Sequence, residues 1–232
     1  MTESIHSGRR RVRQQLNEEA ATHLREMILA RKLVEGQLIS VEQVVEALDM
    51  SATPVREAIL RLVAEGFLIL EPRRGFIVAP LREEDLRDLW QIHAYVAGEL
   101  AAKAAERADP SVFIAAKSLQ NDMFEAASRN DHESVEKLNF EIHRLINHAA
   151  DSAKLQIFLR LALKYVPSLF TDSIPGWVEA SVQDHVEILQ ALEARDSEWA
   201  RRSMRKHIQH AEELFLAHHS RLVEDSSSAR AK

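Results

Sequence analysis

Three histidines and one asparagine lie on otherwise apolar helical stripes in the second half of the chain. In KLNFEIHRLINHAA, Asn139 and His143 are four residues apart, which places them one turn apart on one face of a predicted helix. His185 and His207 lie on the apolar stripes of two later predicted helices. An unpaired buried polar group costs about 1–3 kcal/mol, so inward imidazoles need a partner. Three imidazoles and an amide oxygen are suitable ligands for a divalent cation such as Zn²⁺ or Ni²⁺.

Two other interpretations of these histidines stay open from the residues alone. An inward histidine is more often an ordinary core residue, and the chain contains 11 histidines, so the region could be a purely structural dimerisation domain. It could also be a metal-dependent hydrolase, in which His143, His185 and His207 bind Zn²⁺ and activate water. The hydrolase interpretation lacks an H-E-x-x-H helix and an obvious general base beside the ligands.

Composition is typical of a globular protein. Of the 232 residues, 46% are hydrophobic and 28% are charged, and this length suits two domains with buried cores. The chain contains no cysteine, which excludes disulfides and thiolate metal sites and fits a reducing cytoplasm. The polar N-terminus lacks the apolar run of a signal peptide, and no window is apolar enough for a membrane span. We therefore expect a cytoplasmic protein without a membrane partner.

Charge is unevenly distributed along the chain. The net charge of −6 argues against non-specific nucleic-acid binding by the whole protein. Residues 1–80 hold 11 basic and 11 acidic side chains, so the excess negative charge lies in the remainder. The basic side chains of the first third cluster in RRRVR (Arg9 to Arg13) and PRRG (Pro72 to Gly75). A local basic surface for nucleic acid can form there.

Residues 18–80 predict three helices followed by a hairpin. Apolar spacing predicts a first helix over Glu18 to Leu33, which Gly36 ends, and Ser40 caps a second. Thr53 caps a third helix, which begins at Pro54. The segment FLILEPRRGFIVAP predicts two short strands joined by a basic turn. This order describes a winged helix-turn-helix, in which the third helix enters the DNA major groove.

The third helix carries two arginines, Arg56 and Arg61, near its predicted outer face. An arginine near the start of such a helix can donate two hydrogen bonds to guanine or can hold a phosphate. Two arginines on an amphipathic helix are also common on a solvated face. The residues alone leave both roles open.

The run TPVREAILRLVAEGFLILEPRRGFIV resembles the DNA-binding domain of the GntR family of bacterial transcription factors. That family has a Ser-Arg-Thr-Pro-Val-Arg-Glu-Ala segment, then Leu-x-x-x-Gly and an Arg-Gly wing, and the resemblance covers residues 18–80. Ala52 and Glu42 stand where the family has arginines that often contact DNA, which should weaken or redirect base readout. The DNA contacts implied by the resemblance are Thr53, Arg56, Arg61, Arg73, Arg74 and Gly75.

Residues 81–222 predict an all-helical bundle, because Pro and Gly become rare and capping signals divide the region. We predict helices at about 83–107, 111–130, 132–150, 152–165, 177–195 and 197–222. The expected fold class is therefore mainly α, an N-terminal winged helix-turn-helix followed by an all-α helical bundle. Residues 1–17 are expected to form a flexible basic arm, and residues 223–232 a disordered tail.

The bundle resembles the FadR-type C-terminal effector domain of GntR regulators. In that domain an Asp or Asn, a His four residues later and two further His bind a metal ion. The matching positions are Asn139, His143, His185 and His207. Asn139 replaces the commoner Asp, which removes a negative charge and leaves the site more cationic toward an anion. His93 stands where the family often has an arginine that faces the same cavity.

The resemblance implies a ligand-responsive transcriptional regulator, most often a repressor. It would bind double-stranded operator DNA as a homodimer that reads two half-sites. A divalent metal and a small carboxylate effector would bind in the bundle, with His93 and Asn139 as effector contacts. Effector binding would change the separation or orientation of the two winged helices.

Overall fold

The structure, a computed structural model, describes residues 2–167 and 171–230. The chain divides into two units, Met1–Arg82 and Glu83–Lys232. The first unit holds three helices and a small antiparallel sheet, and the described part of the second holds helices alone. The predicted fold class, mainly α with a winged helix-turn-helix before an all-α bundle, is confirmed.

Helix α1 (Thr2–Leu29) begins well before the predicted start. The structure differs here from the expected flexible arm over residues 1–17, because residues 2–17 are helical. The segment holds four Arg and two Gln, whose high helix propensity favours a helix without an apolar stripe. The helix ends before Arg31, which has a left-handed φ of 58°, rather than at Gly36. Its buried apolar residues are Ala20, Ala21, Leu24, Ile28 and Leu29.

Helix α2 (Val41–Leu48) begins where the capping signal predicted it. Ser40 Oγ accepts a hydrogen bond from the backbone N–H of Gln43 at 3.4 Å. The same hydroxyl donates to Glu42 Oε2 at 2.8 Å. The negative charge of Glu42 is thereby held at the helix N-terminus, where the helix dipole favours it.

Helix α3 (Ala52–Ala64) starts slightly earlier than predicted. The prediction that Thr53 caps this helix is wrong, because Ser51 has the extended backbone of the cap position. Pro54 still lies in the first turn, where its missing N–H costs nothing. The residues that α3 buries in the core of this unit are Val55, Ala58, Ile59 and Leu62.

A three-stranded antiparallel sheet completes the first unit. Strand β1 (Leu38–Ile39) pairs with β3 (Gly75–Val78), which also pairs with β2 (Leu68–Glu71). The β2–β3 hairpin matches the predicted wing, with Arg73 at φ 69° and Gly75 at φ 96° in its turn. Strand β1 was not predicted, since two residues are too short to show alternation.

The second unit contains six α-helices in its described residues. Helix α4 (Glu83–Arg107) has the predicted bounds. The others are α5 (Pro110–Ser128), α6 (His132–Ala149), α7 (Ala153–Ala162), α8 (Trp177–Glu193) and α9 (Ser197–Arg230). Each begins and ends within a few residues of its predicted position, except that α9 ends later than predicted. No helix in the described ranges is both long and apolar enough to cross a membrane.

Helix α9 is longer than predicted. It continues to Arg230, so residues 223–230, expected as a disordered tail, are helical, and residues 231–232 lie outside the described part. No Gly or Pro follows Gly176 in the sequence, so nothing in this segment breaks a helix. The polarity of the segment suggested a tail, but polarity does not prevent a helix.

Close packing of α4 on α9 depends on Gly98. A Cβ at this position would lie 2.7 Å from Arg205 Cγ and 3.1 Å from the carbonyl oxygen of Arg201. The neighbouring Glu99 accepts hydrogen bonds from Arg201 Nε at 2.8 Å and from Arg205 at 2.9 Å. The absent side chain thus allows both arginines of α9 to reach one carboxylate of α4.

We expect Gly98→Ala to lower the free energy of unfolding by about 1–3 kcal/mol, although alanine has the higher helix propensity by about 1 kcal/mol. The added methyl group must displace the Arg205 side chain or the α9 backbone. Chemical denaturation followed by circular dichroism measures the change. In an Arg205→Ala background the same substitution should cost less, and an equal cost in both backgrounds would contradict this explanation.

Candidate functional site

The candidate DNA contacts of the first unit divide into side chains that are free and side chains that are paired. Thr53, Arg56 and Arg73 are exposed, and neither arginine forms a hydrogen bond or an ion pair within the part of the chain that the structure describes. Arg74 is exposed but bonds Glu71 Oε2 at 2.7 Å. Free guanidinium groups on an exposed face are available to phosphates and base edges.

Arg61 is committed to an internal network that joins α1 to α3. It forms an ion pair with Glu18, which also accepts a hydrogen bond from Arg25 at 3.2 Å. Arg25 is buried and bonds Glu65 Oε2 at 2.8 Å. Sequence periodicity could not reveal this network, because Glu18 and Arg61 are 43 residues apart.

An acidic side chain lies beside the free Arg56. The hydrogen bond from Ser40 is the largest influence that lowers the pKa of Glu42, and the positive charge of Arg56 lowers it further. Glu42 is therefore ionised at neutral pH. A carboxylate repels phosphate, but it can accept a hydrogen bond from the amino group of cytosine.

In the second unit, helices α6, α8 and α9 bring three histidines together. His143 Nε2 lies 3.2 Å from His207 Nε2 and 3.3 Å from His185 Nε2. One nitrogen of each ring lies within 4.8 Å of the other two. His185 and His207 are buried, and His143 is partly buried. The structure thus places the three sequence-predicted histidines in one cluster.

The outer ring nitrogens have polar partners that set their protonation. His185 Nδ1 lies 3.2 Å from Gln120 Oε1, while Gln120 Nε2 donates to the carbonyl of Val182 at 2.8 Å. His207 Nδ1 lies 3.4 Å from Asp184 Oδ2. An amide oxygen and a carboxylate only accept, so these two Nδ1 atoms carry the protons. The Nε2 atoms of His185 and His207 therefore present lone pairs to the cluster.

Lone pairs that face one another at this distance repel unless a proton or a cation lies between them. A single proton on His143 Nε2 can satisfy only one neighbour. Burial, and then the charge of His207, keeps the pKa of His143 and His185 well below the usual value, so these imidazoles are neutral. Neutral imidazoles with inward lone pairs are the form that binds metal ions.

The buried polar atoms that lack a hydrogen-bond partner in the described part of the chain include Asn139 Oδ1 and His93 Nδ1. Asn139 lies one turn before His143 on α6, so its amide oxygen is on the same helix face as a cluster imidazole. His93 belongs to α4 and is only 5% exposed. The three histidines and the orphaned amide oxygen together fit a divalent cation.

Both units match known protein families. Residues 88–210 match the FCD domain, and residues 3–78 match the bacterial regulatory proteins of the gntR family. The chain belongs to the GntR family. As a GntR protein it is a DNA-binding transcriptional regulator of the FCD type, which confirms the resemblance of both segments.

Individual relatives agree with this assignment. The HTH-type transcriptional regulator McbR of Escherichia coli K12 is 27% identical over 176 residues, which cover 73% of this chain and 78% of McbR. The HTH-type transcriptional repressor RspR of the same organism is 24% identical over 203 residues, 86% of this chain and 89% of RspR. The solved structure of E. coli McbR/YncC has the same fold, with a TM-score of 0.65 at 24% identity over 84% of this chain and 94% of that one.

The hydrolase alternative is not supported. The matched families and relatives named above are transcriptional regulators, not enzymes. Glu141, two residues before His143 in sequence, bonds Arg144 at 2.6 Å and so is not a free general base. This GntR regulator is therefore not an enzyme.

Sequence reasoning missed the residues that hold the outer ring nitrogens. Gln120 lies on α5 and is buried, and Asp184 immediately precedes His185. Asp184 also bonds His210 Nδ1 at 3.0 Å, so one carboxylate holds two histidines of α9. A polar residue on the apolar face of α5 was the signal for Gln120, but nothing in the sequence linked it to a histidine of another helix.

We expect His93 to make the metal-free protein sensitive to acid. Burial, followed by the charge of His207, lowers the pKa of His93 to about 3, whereas an unfolded chain has a histidine pKa near 6.5. Its stabilising contribution is complete above about pH 6.5 and is lost as the pH falls toward the folded value. Between about pH 7.5 and about pH 5.5, His93 alone should lower the free energy of unfolding by about 1 kcal/mol.

Urea titrations of chelator-treated protein at the two pH values measure this loss. In His93→Gln the loss should be smaller by that amount. His148→Gln, at an exposed position on α6, is the matched control for the removal of one histidine. An identical pH dependence in wild type and His93→Gln would refute the assignment.

Proposed function

We propose that this GntR regulator is an operator-binding repressor whose helical unit holds a divalent metal ion and a small carboxylate effector. The observation that carries the proposal is the convergence of three Nε2 atoms from α6, α8 and α9. Hydrogen bonds on the far side of two of the rings turn their lone pairs inward. The matched relative RspR is itself described as a repressor.

The proposed metal ligands are His143, His185, His207 and Asn139. Imidazole nitrogens suit Zn²⁺ and Ni²⁺, and the amide oxygen adds a neutral fourth donor. Since no ligand carries a negative charge, the bound cation keeps its full charge and attracts an anion. The metal would supply this attraction and open coordination positions for a carboxylate oxygen. His93 would face the bound acid from α4.

For DNA recognition we propose a ranking of the six candidate residues. Arg56 and Arg73 carry free guanidinium groups, so they are the leading contacts, with Thr53 beside Arg56 at the start of α3 and Gly75 shaping the wing. Arg74 can exchange Glu71 for a phosphate. Arg61 serves mainly to pair with Glu18, and its contribution to DNA affinity should be the smallest.

We also propose that the protein acts as a homodimer in the cytoplasm, where the chromosome is. Large apolar side chains are exposed on α4 and α7, two helices that pack side by side. Exposed apolar side chains on two packed helices favour an interaction surface there, and a two-fold symmetric dimer would suit operators with two half-sites. These side chains are Ile92, Tyr95, Ile157, Phe158 and Leu161.

Metal binding is tested by titrating chelator-treated protein with Zn²⁺ and Ni²⁺ in a calorimeter. One ion should bind per chain, and His143→Ala should abolish tight binding. Asp184→Asn removes the carboxylate that holds His207 but leaves all four proposed ligands in the sequence, and it should weaken metal affinity about 10- to 100-fold. Asp122→Asn, exposed on α5, is the matched control. Equal metal affinity in wild type and His143→Ala would exclude this site.

DNA binding is tested by selecting duplexes from a randomised pool and titrating the selected duplex at several salt concentrations. Arg56→Ala should cost about 1–3 kcal/mol of binding free energy and relax the base preference. Arg61→Ala should change DNA affinity less and should instead lower thermal stability. Arg129→Ala, on the surface of the helical unit, is the control. A larger affinity loss in Arg61→Ala than in Arg56→Ala would reverse the ranking.

A further inference from the structure

Trp90 is a buried hydrogen-bond donor without an acceptor. It lies on α4, is 1% exposed, and its Nε1 atom has no hydrogen-bond partner among the described residues. An indole N–H can only donate. Leaving such a group unpaired in a protein interior costs about 1–3 kcal/mol, so the position calls for a function.

The other two tryptophans of the chain are satisfied. Trp177 Nε1 donates to Glu136 Oε1 at 2.9 Å, and Trp199 Nε1 donates to Glu187 Oε1 at 3.1 Å. The chain contains three tryptophans in all. Among the three tryptophans, Trp90 alone has an indole N–H without a partner in the described residues. Loose packing of aromatic side chains in general therefore does not explain the unpaired donor.

The unpaired donor lies next to the candidate metal and effector site. The Trp90 ring is 5.7 Å from the ring of His93, whose buried Nδ1 is also unpaired. Burial, and then the charge of His207, lowers the pKa of His93, so His93 lies within electrostatic range of the histidine cluster. The orphaned oxygen of Asn139 lies on the α6 side of the same cluster. Two unpaired polar groups of α4, those of Trp90 and His93, thus lie next to each other.

Aromatic rings limit what can approach the Trp90 donor. The ring of Trp177 is 6.4 Å away and that of Phe215 is 5.7 Å away, and both residues are buried. Among these apolar surfaces a second charged group would be costly, whereas a neutral oxygen that accepts one hydrogen bond would be stabilised. The environment favours a hydroxyl or oxo oxygen over a second carboxylate.

We propose that Trp90 donates a hydrogen bond to the effector, and that the effector is a small acid with a hydroxyl or oxo oxygen in addition to its carboxylate. The inference rests on the proposed function, since the carboxylate would be held at the metal. His93, whose ring lies 5.7 Å from that of Trp90, would contact the remaining atoms of the acid. Trp90 would then select among acids that bind the metal equally well.

The test compares acids that share one carboxylate and differ in one oxygen. Calorimetry of Zn²⁺-loaded protein is carried out with butyrate, its 2-, 3- and 4-hydroxy derivatives, and 2-oxobutyrate. At least one oxygenated acid should bind about tenfold more tightly than butyrate, the effect of one added hydrogen bond in a buried site. In Trp90→Phe this preference should disappear while affinities for butyrate and Zn²⁺ stay unchanged. Trp199→Phe is the matched control and should retain the preference.

A second measurement on the wild-type chain does not depend on how Trp90→Phe folds. Each tryptophan gives one indole N–H signal in a ¹⁵N-correlated NMR spectrum, and the Trp177→Phe and Trp199→Phe variants assign the Trp90 signal by elimination. The preferred oxygenated acid should shift the Trp90 proton downfield, and butyrate should not. The other two indole signals serve as internal references.

The outcomes separate this inference from the proposed function. If no acid in the series binds the Zn²⁺-loaded protein, the proposed effector site fails and the inference fails with it. If acids bind but Trp90→Phe keeps the same preference, or the Trp90 signal responds equally to butyrate, the effector site stands and the role of Trp90 is refuted. An indole signal that shows a hydrogen bond before any acid is added would assign its acceptor to a buried water and refute the role too.

Discussion

The mutual approach of three imidazole nitrogens is the constraint on which the helical unit depends. Helices α6, α8 and α9 can pack at their observed separation only if lone pairs at 3.2 and 3.3 Å are reconciled. The surrounding chain makes this harder, because Gln120 and Asp184 hold protons on the outer nitrogens, and burial lowers the pKa of His143 and His185 so that these two rings stay neutral. The divalent cation proposed above would resolve the conflict at one point, and the inward lone pairs would then contribute to its binding energy.

In the first unit, charged side chains form ion pairs with one another instead of being kept neutral by burial. Three of its described cations have an internal partner: Arg25 and Arg61 share Glu18, and Arg74 bonds Glu71. Among the described side chains, Arg56 and Arg73 keep free guanidinium groups on the exposed surface, and the charge of Arg56 acts on Glu42. For the described part of this surface, discrimination between DNA sequences would depend on a small number of directed contacts. This agrees with the negative charge of the chain.

Local patterns predicted the features that depend on neighbours along the chain. The four-residue spacing of Asn139 and His143 and the apolar period of α4 follow from helix geometry, so both were readable from sequence. The partners of Arg61 and of His185 were not, because they come from helices 43 and 65 residues away in sequence. The short strand β1 was missed since its position depends on pairing with β3. The helical residues 2–17 were missed because a polar segment carries no periodic signal.

Helix α9 carries His207, Phe215 and Ser220 on one uninterrupted helix of 34 residues. It contains neither proline nor glycine, so no residue of the kind that kinks a helix interrupts its length of about 50 Å. Ser220 Oγ donates to Glu83 Oε2 at 3.2 Å, at the first residue of α4. A rotation of α9 that moves the His207 imidazole by a fraction of an ångström must also move the Ser220 hydroxyl, which lies more than three turns further along the same helix. Helix α9 therefore couples the position of the histidine cluster to the start of the bundle through one continuous element.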